Sequence, residues 1–208
     1  MINITKYSNN SMFVNSYILT KNSQTMIIDP GFNGLAILTH LSKHNLNLES
    51  IVFTHGHYDH IRDVIKLLEN NKDIKVYIHE YELDFLYNPD LNLSSSFGLS
   101  FALDKKVSVI KLIDGQIIDF CGEQVKVMHL PGHSKGSIGL VYNQHFFSGD
   151  TLFFDSIGRT DLVTGDNGKI YGSLEKIKRS LSKNTIVYPG HGKGGRLSEI
   201  LMINRYLV

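Results

Sequence analysis

His55, His57, Asp59 and His60 fall within six residues, directly after the apolar run Ile51-Val52-Phe53. Three later segments share one grammar, an apolar run closed by a tight glycine-containing turn: Val127-Met128-His129-Leu130-Pro131-Gly132-His133, Phe146-Phe147-Ser148-Gly149-Asp150 and Ile186-Val187-Tyr188-Pro189-Gly190-His191. Glycine lets the backbone bend sharply and approach closely, so each turn can aim its last side chain at one point beyond the strand ends. The resulting set is His55, His57, Asp59, His60, His133, Asp150 and His191. Imidazoles and carboxylates without a thiolate suit zinc, iron or manganese, zinc foremost, and disfavour calcium and magnesium. Seven ligands exceed what one tetrahedral ion needs. Two divalent ions sharing one carboxylate is the economical arrangement, with the isolated Asp150 as the bridge and the other six as two sets of three. The two carboxylates, Asp59 and Asp150, are the residues expected to serve catalysis. His40, His44, His79, His129 and His145 read as structural or solvated, as most isolated histidines are.

The elements that must position this cluster read as strands and helices in alternating batches. Short strands are expected at Ile2 to Tyr7, Met12 to Leu19 and Thr25 to Ile28. Asp29-Pro30-Gly31 then precedes a helix from Leu35 to His44. The histidine-rich segment lies between strand 51–53 and an amphipathic helix marked by Ile61, Val64, Ile65 and Leu68. A strand over Val76 to His79 and a helix over Glu80 to Tyr87 follow, and Asn88 to Ser100 reads as a loose flap. Strands are expected at Val107 to Leu112, Gln116 to Phe120, Gln124 to Leu130, Ile138 to Tyr142 and His145 to Ser148, with Asp114-Gly115 and Cys121-Gly122 as turns. A helix over Ile170 to Leu181, a strand over Thr185 to Tyr188 and a helix over Leu197 to Tyr206 close the chain. Strands in two batches, each followed by helices, predict an α+β fold in which two sheets pack face to face with helices outside.

Composition sets the outer limits. A chain of 208 residues with 42% hydrophobic content can bury one substantial core, so a single domain over 1–208 is expected. Lys plus Arg (21) nearly cancels Asp plus Glu (20), which provides no general field for nucleic acid or membrane and points to a small-molecule partner. Cys121 is the sole cysteine, so no intrachain disulfide can form. No apolar leader or membrane-length window is present, and a cytoplasmic protein is expected.

At these residues the sequence resembles the metallo-β-lactamase superfamily, especially its short glyoxalase II-like hydrolases. The markers are Ile28-Asp29-Pro30-Gly31, Thr54-His55-Gly56-His57-Tyr58-Asp59-His60, Leu130-Pro131-Gly132-His133-Ser134-Lys135-Gly136-Ser137, Gly149-Asp150-Thr151-Leu152-Phe153, Gly158-Arg159-Thr160-Asp161 and Pro189-Gly190-His191-Gly192. The resemblance implies a four-layer αββα sandwich with metals at one edge of the paired sheets. It implies that His55, His57 and His133 hold one ion, that Asp59, His60 and His191 hold the other, and that Asp150 bridges them. Asp29 is similar to the family's buried aspartate that orients a ligand histidine; an Asx-type turn before Pro30 is the alternative. True β-lactamases of the superfamily typically replace part of the second set, often with cysteine. The complete set here argues against antibiotic hydrolysis. The helical domain that binds glutathione in full-length glyoxalase II has no counterpart in the sequence, so the thiol carrier is not inherited with the resemblance.

The expected chemistry is thioester hydrolysis, because water between two divalent ions is acidic enough to be hydroxide near neutral pH. Small 2-hydroxyacyl thioesters are the expected substrates, with weak dependence on a glutathione portion. Arg159 and Lys193 are candidates to hold a substrate carboxylate or phosphate, Arg159 through a bidentate pair; Arg159 has a second option in pairing with Asp161. Two rivals stand beside this reading. One is a persulfide dioxygenase with a single iron on His55, His133 and Asp150, and the other is a non-catalytic metal-dependent sensor.

Overall fold

The computed structural model describes residues 1–9, 12–69 and 73–207. Its strands form two mixed six-stranded sheets. The first runs β1 (Asn3–Ser8), β2 (Asn15–Lys21), β3 (Gln24–Ile28), β4 (Asn47–Val52), β5 (Lys75–His79) and β6 (Val109–Leu112), in that spatial order. The second is built from β7 (Ile117–Phe120), β8 (Glu123–His129), β9 (Ile138–Tyr142), β10 (His145–Gly149), β11 (Ile186–Pro189) and β12 (Gly195–Arg196), ordered β12-β11-β10-β9-β8-β7. Tight turns join some of the antiparallel pairs. Asn22 and Ser23 (φ 51° and 63°) join β2 to β3, and Cys121 and Gly122 (φ 53° and 76°) join β7 to β8. Two consecutive positive φ values match the right-handed twist of a hairpin, and Asn and Gly tolerate them best.

Alternation along each strand decides which layer a side chain enters. In the first sheet Tyr17, Leu19, Met26, Ile28 and Val52 face inward and meet Ile118, Phe120, Val125, Val127, Leu140 and Phe147 of the second. Their neighbours Ile18, Ile27 and Ile51 face the other way, onto α1 (Gly34–Lys43), α2 (Tyr58–Ile61) and α3 (Val64–Leu68). On the far side Met128, Phe146 and Val187 pack beneath Leu174 and Ile177 of α4 (Asn167–Ser180) and Leu197 and Ile200 of α5 (Leu197–Ile203). The result is the expected α+β sandwich of helix, sheet, sheet, helix. Each fully buried side chain of this size contributes roughly 1.5–3 kcal/mol relative to exposure. Among the described residues no helix is long and apolar enough to cross a membrane.

Several boundaries differ from the sequence expectation for identifiable reasons. The single helix expected through Ile61 to Leu68 is two short ones, because Asp63 is drawn inward: its carboxylate accepts the Gly34 N–H at 2.9 Å and its own N–H donates to Gly31 O at 2.9 Å. Residues 80–86 form a 3-10 helix rather than an α-helix. Helix α4 starts at Asn167, ahead of its apolar face, because the Asp166 carboxylate caps the N–H groups of Gly168 and Lys169. Helix α5 stops at Ile203, since the next residue, Asn204, turns its carboxamide to donate to Phe153 O and Ser156 O. The Asn88 to Ser100 stretch is anchored rather than loose: the wholly buried Asn92 donates to Phe85 O and Phe101 O and accepts from Ser94 N.

Candidate metal centre

The seven residues singled out by spacing meet where strands of the two sheets end. β4 runs into the loop carrying His55 and His57, and Asp59 and His60 lie in α2. His133, Asp150 and His191 follow β8, β10 and β11. Close backbone approach makes this possible. Gly149 adopts φ +50°, and a Cβ there would come within 2.6 Å of the Thr54 hydroxyl. At Gly190 a Cβ would run into the Asp150 carboxylate and the His60 ring. The two turns are tied by Gly190 N–H donating to Gly149 O at 2.8 Å, and the sheets by Ile138 N–H donating to Thr54 O at 2.8 Å.

Hydrogen-bond partners fix which nitrogen of each ring carries a lone pair. A carbonyl can only accept, so His133 Nδ1–H donates to Arg159 O at 2.9 Å and His191 Nδ1–H to Phe13 O at 3.2 Å. Their Nε2 atoms are therefore free to bind a cation. Asp29 does the same for two more rings. It accepts from Thr54 N and Thr54 Oγ1 at 2.8 and 2.6 Å and from His60 Nδ1 at 2.9 Å. Because the Thr54 hydroxyl proton is committed to Asp29, its oxygen accepts from His55 Nδ1, 3.1 Å away. Asp29 thus orients His60 directly and His55 through Thr54, as carboxylates behind metal-binding imidazoles do. Its backbone stands at φ +49°, an uncommon conformation that aspartate tolerates better than most residues.

The freed atoms converge. Ligand atoms of His55, His57 and His133, of His55, His60 and Asp150, and of Asp59, His60 and His191 each lie within 4.8 Å of one another. His57 Nδ1 is 2.9 Å from His133 Nε2, whose lone pair faces it, so a proton or a cation must lie between them. His60 Nε2 and His191 Nε2 are 3.3 Å apart. Asp150 faces both groups, with Oδ1 at 3.4 Å from His60 Nε2 and Oδ2 at 3.7 and 3.4 Å from His133 and His191 Nε2. His55 Nε2 and Asp150 Oδ1 are buried without any hydrogen-bond partner. Orphaned polar atoms at this depth are costly unless something binds them.

Charge points the same way. Burial and the neighbouring imidazoles push His55 well below the usual histidine range, and burial with His133 lowers His57 to about 3, so both remain neutral ligands. Burial also opposes charge on His60 and His191, yet Asp150 and Asp59 outweigh it and raise both. Burial would raise Asp59 and Asp150, but His60 and His191 overcome it and hold both carboxylates ionised. The cluster therefore has a proton-attracting half, where divalent cations would replace protons as counter-charge. The donor set fits two ions.

Glu82 was not singled out by sequence and is the most informative addition. Wholly buried, it accepts the Gly56 N–H at 2.9 Å and the Gly136 N–H at 2.8 Å, strapping the His55/His57 loop to the segment after His133. Burial raises its carboxyl to about 7 against the opposing pull of Ser134 and those two N–H groups. A cavity of about 640 Å³ opens over the cluster and reaches His57, Asp59, His133, Asp150 and His191. Arg159 lines this cavity, but its Nε and Nη2 are each 2.7 Å from the Asp161 carboxylate, the second of the two options open to it. Lys193, expected beside the substrate, is instead drawn over the Phe154 ring, 3.9 Å from its centroid, and is not among the residues lining the cavity.

Comparison with known proteins identifies the family. Residues 10–191 match the family model for the metallo-beta-lactamase superfamily. The hydroxyacylglutathione hydrolase GloC of Haemophilus influenzae is 28% identical over 92% of this chain and 91% of its own. Two solved structures superpose along nearly the whole chain. A B3 metallo-beta-lactamase, BLEG-1, gives a TM-score of 0.92 at 32% identity, covering 99% of this chain and all of that one. TTHA1623, solved in a di-iron-bound form, gives 0.85 at 31%, covering 98% and 100%. With the family model matched over residues 10–191 and the fold shared with these structures, the chain belongs to the metallo-beta-lactamase superfamily.

Proposed function

We propose that this protein is a binuclear metal-dependent thioester hydrolase of the glyoxalase II kind. The observation that carries the reading is the placement of Asp150 between two groups of imidazole lone pairs, with one carboxylate oxygen left unpartnered. His55, His57 and His133 would hold one ion, Asp59, His60 and His191 the other, and Asp150 both. Zinc, iron and manganese all suit this donor set; the di-iron form of TTHA1623 supports the two-ion count. When bound, such ions acidify water and polarise a carbonyl.

The chain's own residues orient and enclose the reaction. Asp29, Thr54 and the carbonyls of Phe13 and Arg159 hold the rings in the tautomers that present lone pairs. Asp59, held ionised against its burial by His60 and His191, lines the cavity and would serve catalysis as a carboxylate ligand of the second ion. The hydroxyacylglutathione hydrolase GloC supports a thioester as substrate. A near-neutral charge balance and a single cysteine support a small-molecule partner, rather than nucleic acid or membrane, and a cytoplasmic setting.

The test uses one metal-loaded preparation against a lactoyl thioester, a β-lactam, and glutathione persulfide in an oxygen electrode. Thioester cleavage should dominate without oxygen uptake. Oxygen consumption on persulfide would establish the mononuclear dioxygenase instead, and faster β-lactam cleavage would establish the activity after which BLEG-1 is named.

A further inference from the structure

The thioesterase reading leaves the substrate's recognised group open, and the cavity walls bear on it. A volume of about 640 Å³ lies in the range of clefts that accept drug-sized ligands, several times what a lactoyl group fills. Its lining beyond the cluster is dominated by Met12, Tyr58, Leu93, Phe97, Phe153 and Leu162. Beyond the metal cluster, Arg159 is the only lysine or arginine among the described residues lining it, and Asp161 accepts from its Nε and Nη2. An incoming carboxylate would be left the Nη1 edge of the guanidinium, beside the charge of Asp161.

The apolar wall is built at a conformational cost. Leu93 is held at φ +68°, a region that a bulky side chain seldom adopts. The adjacent Asn92 enforces this through its buried carboxamide and through its carbonyl, which accepts the Tyr58 N–H at 2.8 Å. Phe97 remains 55% exposed at the same wall, its ring 6.1 Å from that of Tyr58. Exposed apolar surface beside a polar reaction centre marks a ligand-binding groove.

We propose that the substrate is a thioester bearing a bulky, uncharged apolar group, and that this group, rather than a carboxylate-bearing thiol carrier such as glutathione, is what the site recognises. The reaction is hydrolysis. The water oxygen bonds to the carbonyl carbon, the C–S bond breaks with its electron pair on sulfur, and the two water protons end on the thiol and the carboxylic acid.

The experiment has a kinetic and a binding readout on the zinc-loaded protein. Acetyl, butanoyl and hexanoyl thioesters of one small neutral thiol form one series. Acetyl thioesters of increasingly apolar thiols form the other, with S-lactoylglutathione as the charged comparator. kcat/KM should rise about fourfold per buried methylene in the series whose variable group enters the cavity, and Phe97→Ser should flatten that slope. In parallel, calorimetry follows S-(2-oxoalkyl) thioethers, which cannot be hydrolysed; their affinity should rise with alkyl length, with an increasingly negative heat-capacity change. Affinity independent of alkyl length, or S-lactoylglutathione ahead of every neutral thioester, would overturn the proposal. Affinity that rises while no thioester turns over would overturn the thioesterase reading alone and leave the apolar site standing.

Discussion

Replacing Asp150 with alanine should reduce kcat/KM by about a thousandfold or more, roughly 4 kcal/mol of transition-state stabilisation. Asp150 is the only side chain within 4 Å of the facing nitrogens of His60, His133 and His191 together among the ion-pair distances of the described residues. Removing it takes away the counter-charge common to both metal sets. His191→Ala should cost less, about ten- to a hundredfold, because His191 belongs to one set and its side chain is 26% exposed, at the open end of the cluster. Steady-state kinetics on both variants, with thermal melts to confirm folding, decide the matter. An Asp150→Ala protein that keeps near-normal turnover would remove the bridging role.

The second large effect is expected from Asp29→Asn, a change of almost no volume. Asparagine tolerates the positive φ at this position, so the backbone should survive. What changes is hydrogen-bond polarity. The carboxylate receives three donors, Thr54 N, Thr54 Oγ1 and His60 Nδ1, whereas a carboxamide has one accepting oxygen and one donating nitrogen. In either orientation a donor faces a donor. With the NH2 toward Thr54 Oγ1 and His60, the His60 ring is driven to the tautomer that protonates Nε2 and loses its lone pair for the cation. Metal affinity of the Asp59/His60/His191 set should fall about ten- to a hundredfold, while the melting curve of the metal-free protein shifts much less. Chelator competition measures the first quantity. Unchanged affinity would mean that Asp29 is only the turn residue that its place before Pro30 allows.

The contrast between Asp29 and Glu82 shows which parts of the site can be read from sequence. The ligand cluster is legible because imidazoles at short spacing after buried strands rarely occur together except at a metal centre, and the glycine turns point each side chain past a strand end. The layer arrangement follows from apolar alternation in two batches of strands. Glu82 gives no signal, since a glutamate in the Glu80-Tyr81-Glu82 run resembles a solvated helix face, and its partners are backbone N–H groups more than twenty residues away on either side. The anchors of His133 and His191 are likewise carbonyl oxygens of Arg159 and Phe13, which any residue type would supply. The same limit applies to Lys193, whose type and place after His191 suggest a substrate contact while the fold lays it over Phe154; Arg159 takes the Asp161 pairing that the sequence held open. The break between α2 and α3 is hidden because Asp63 sits at a polar position of a regular helical pattern and turns inward only in the folded chain.

Two ions acting together through one carboxylate should both be needed for turnover. The most direct test is to titrate the metal-free protein with zinc while following thioester hydrolysis in the same cuvette. Activity should remain low through the first equivalent and reach its plateau at two per chain, with elemental analysis of the active protein giving the same number. A plateau at one equivalent, unchanged by further metal, would contradict the binuclear account.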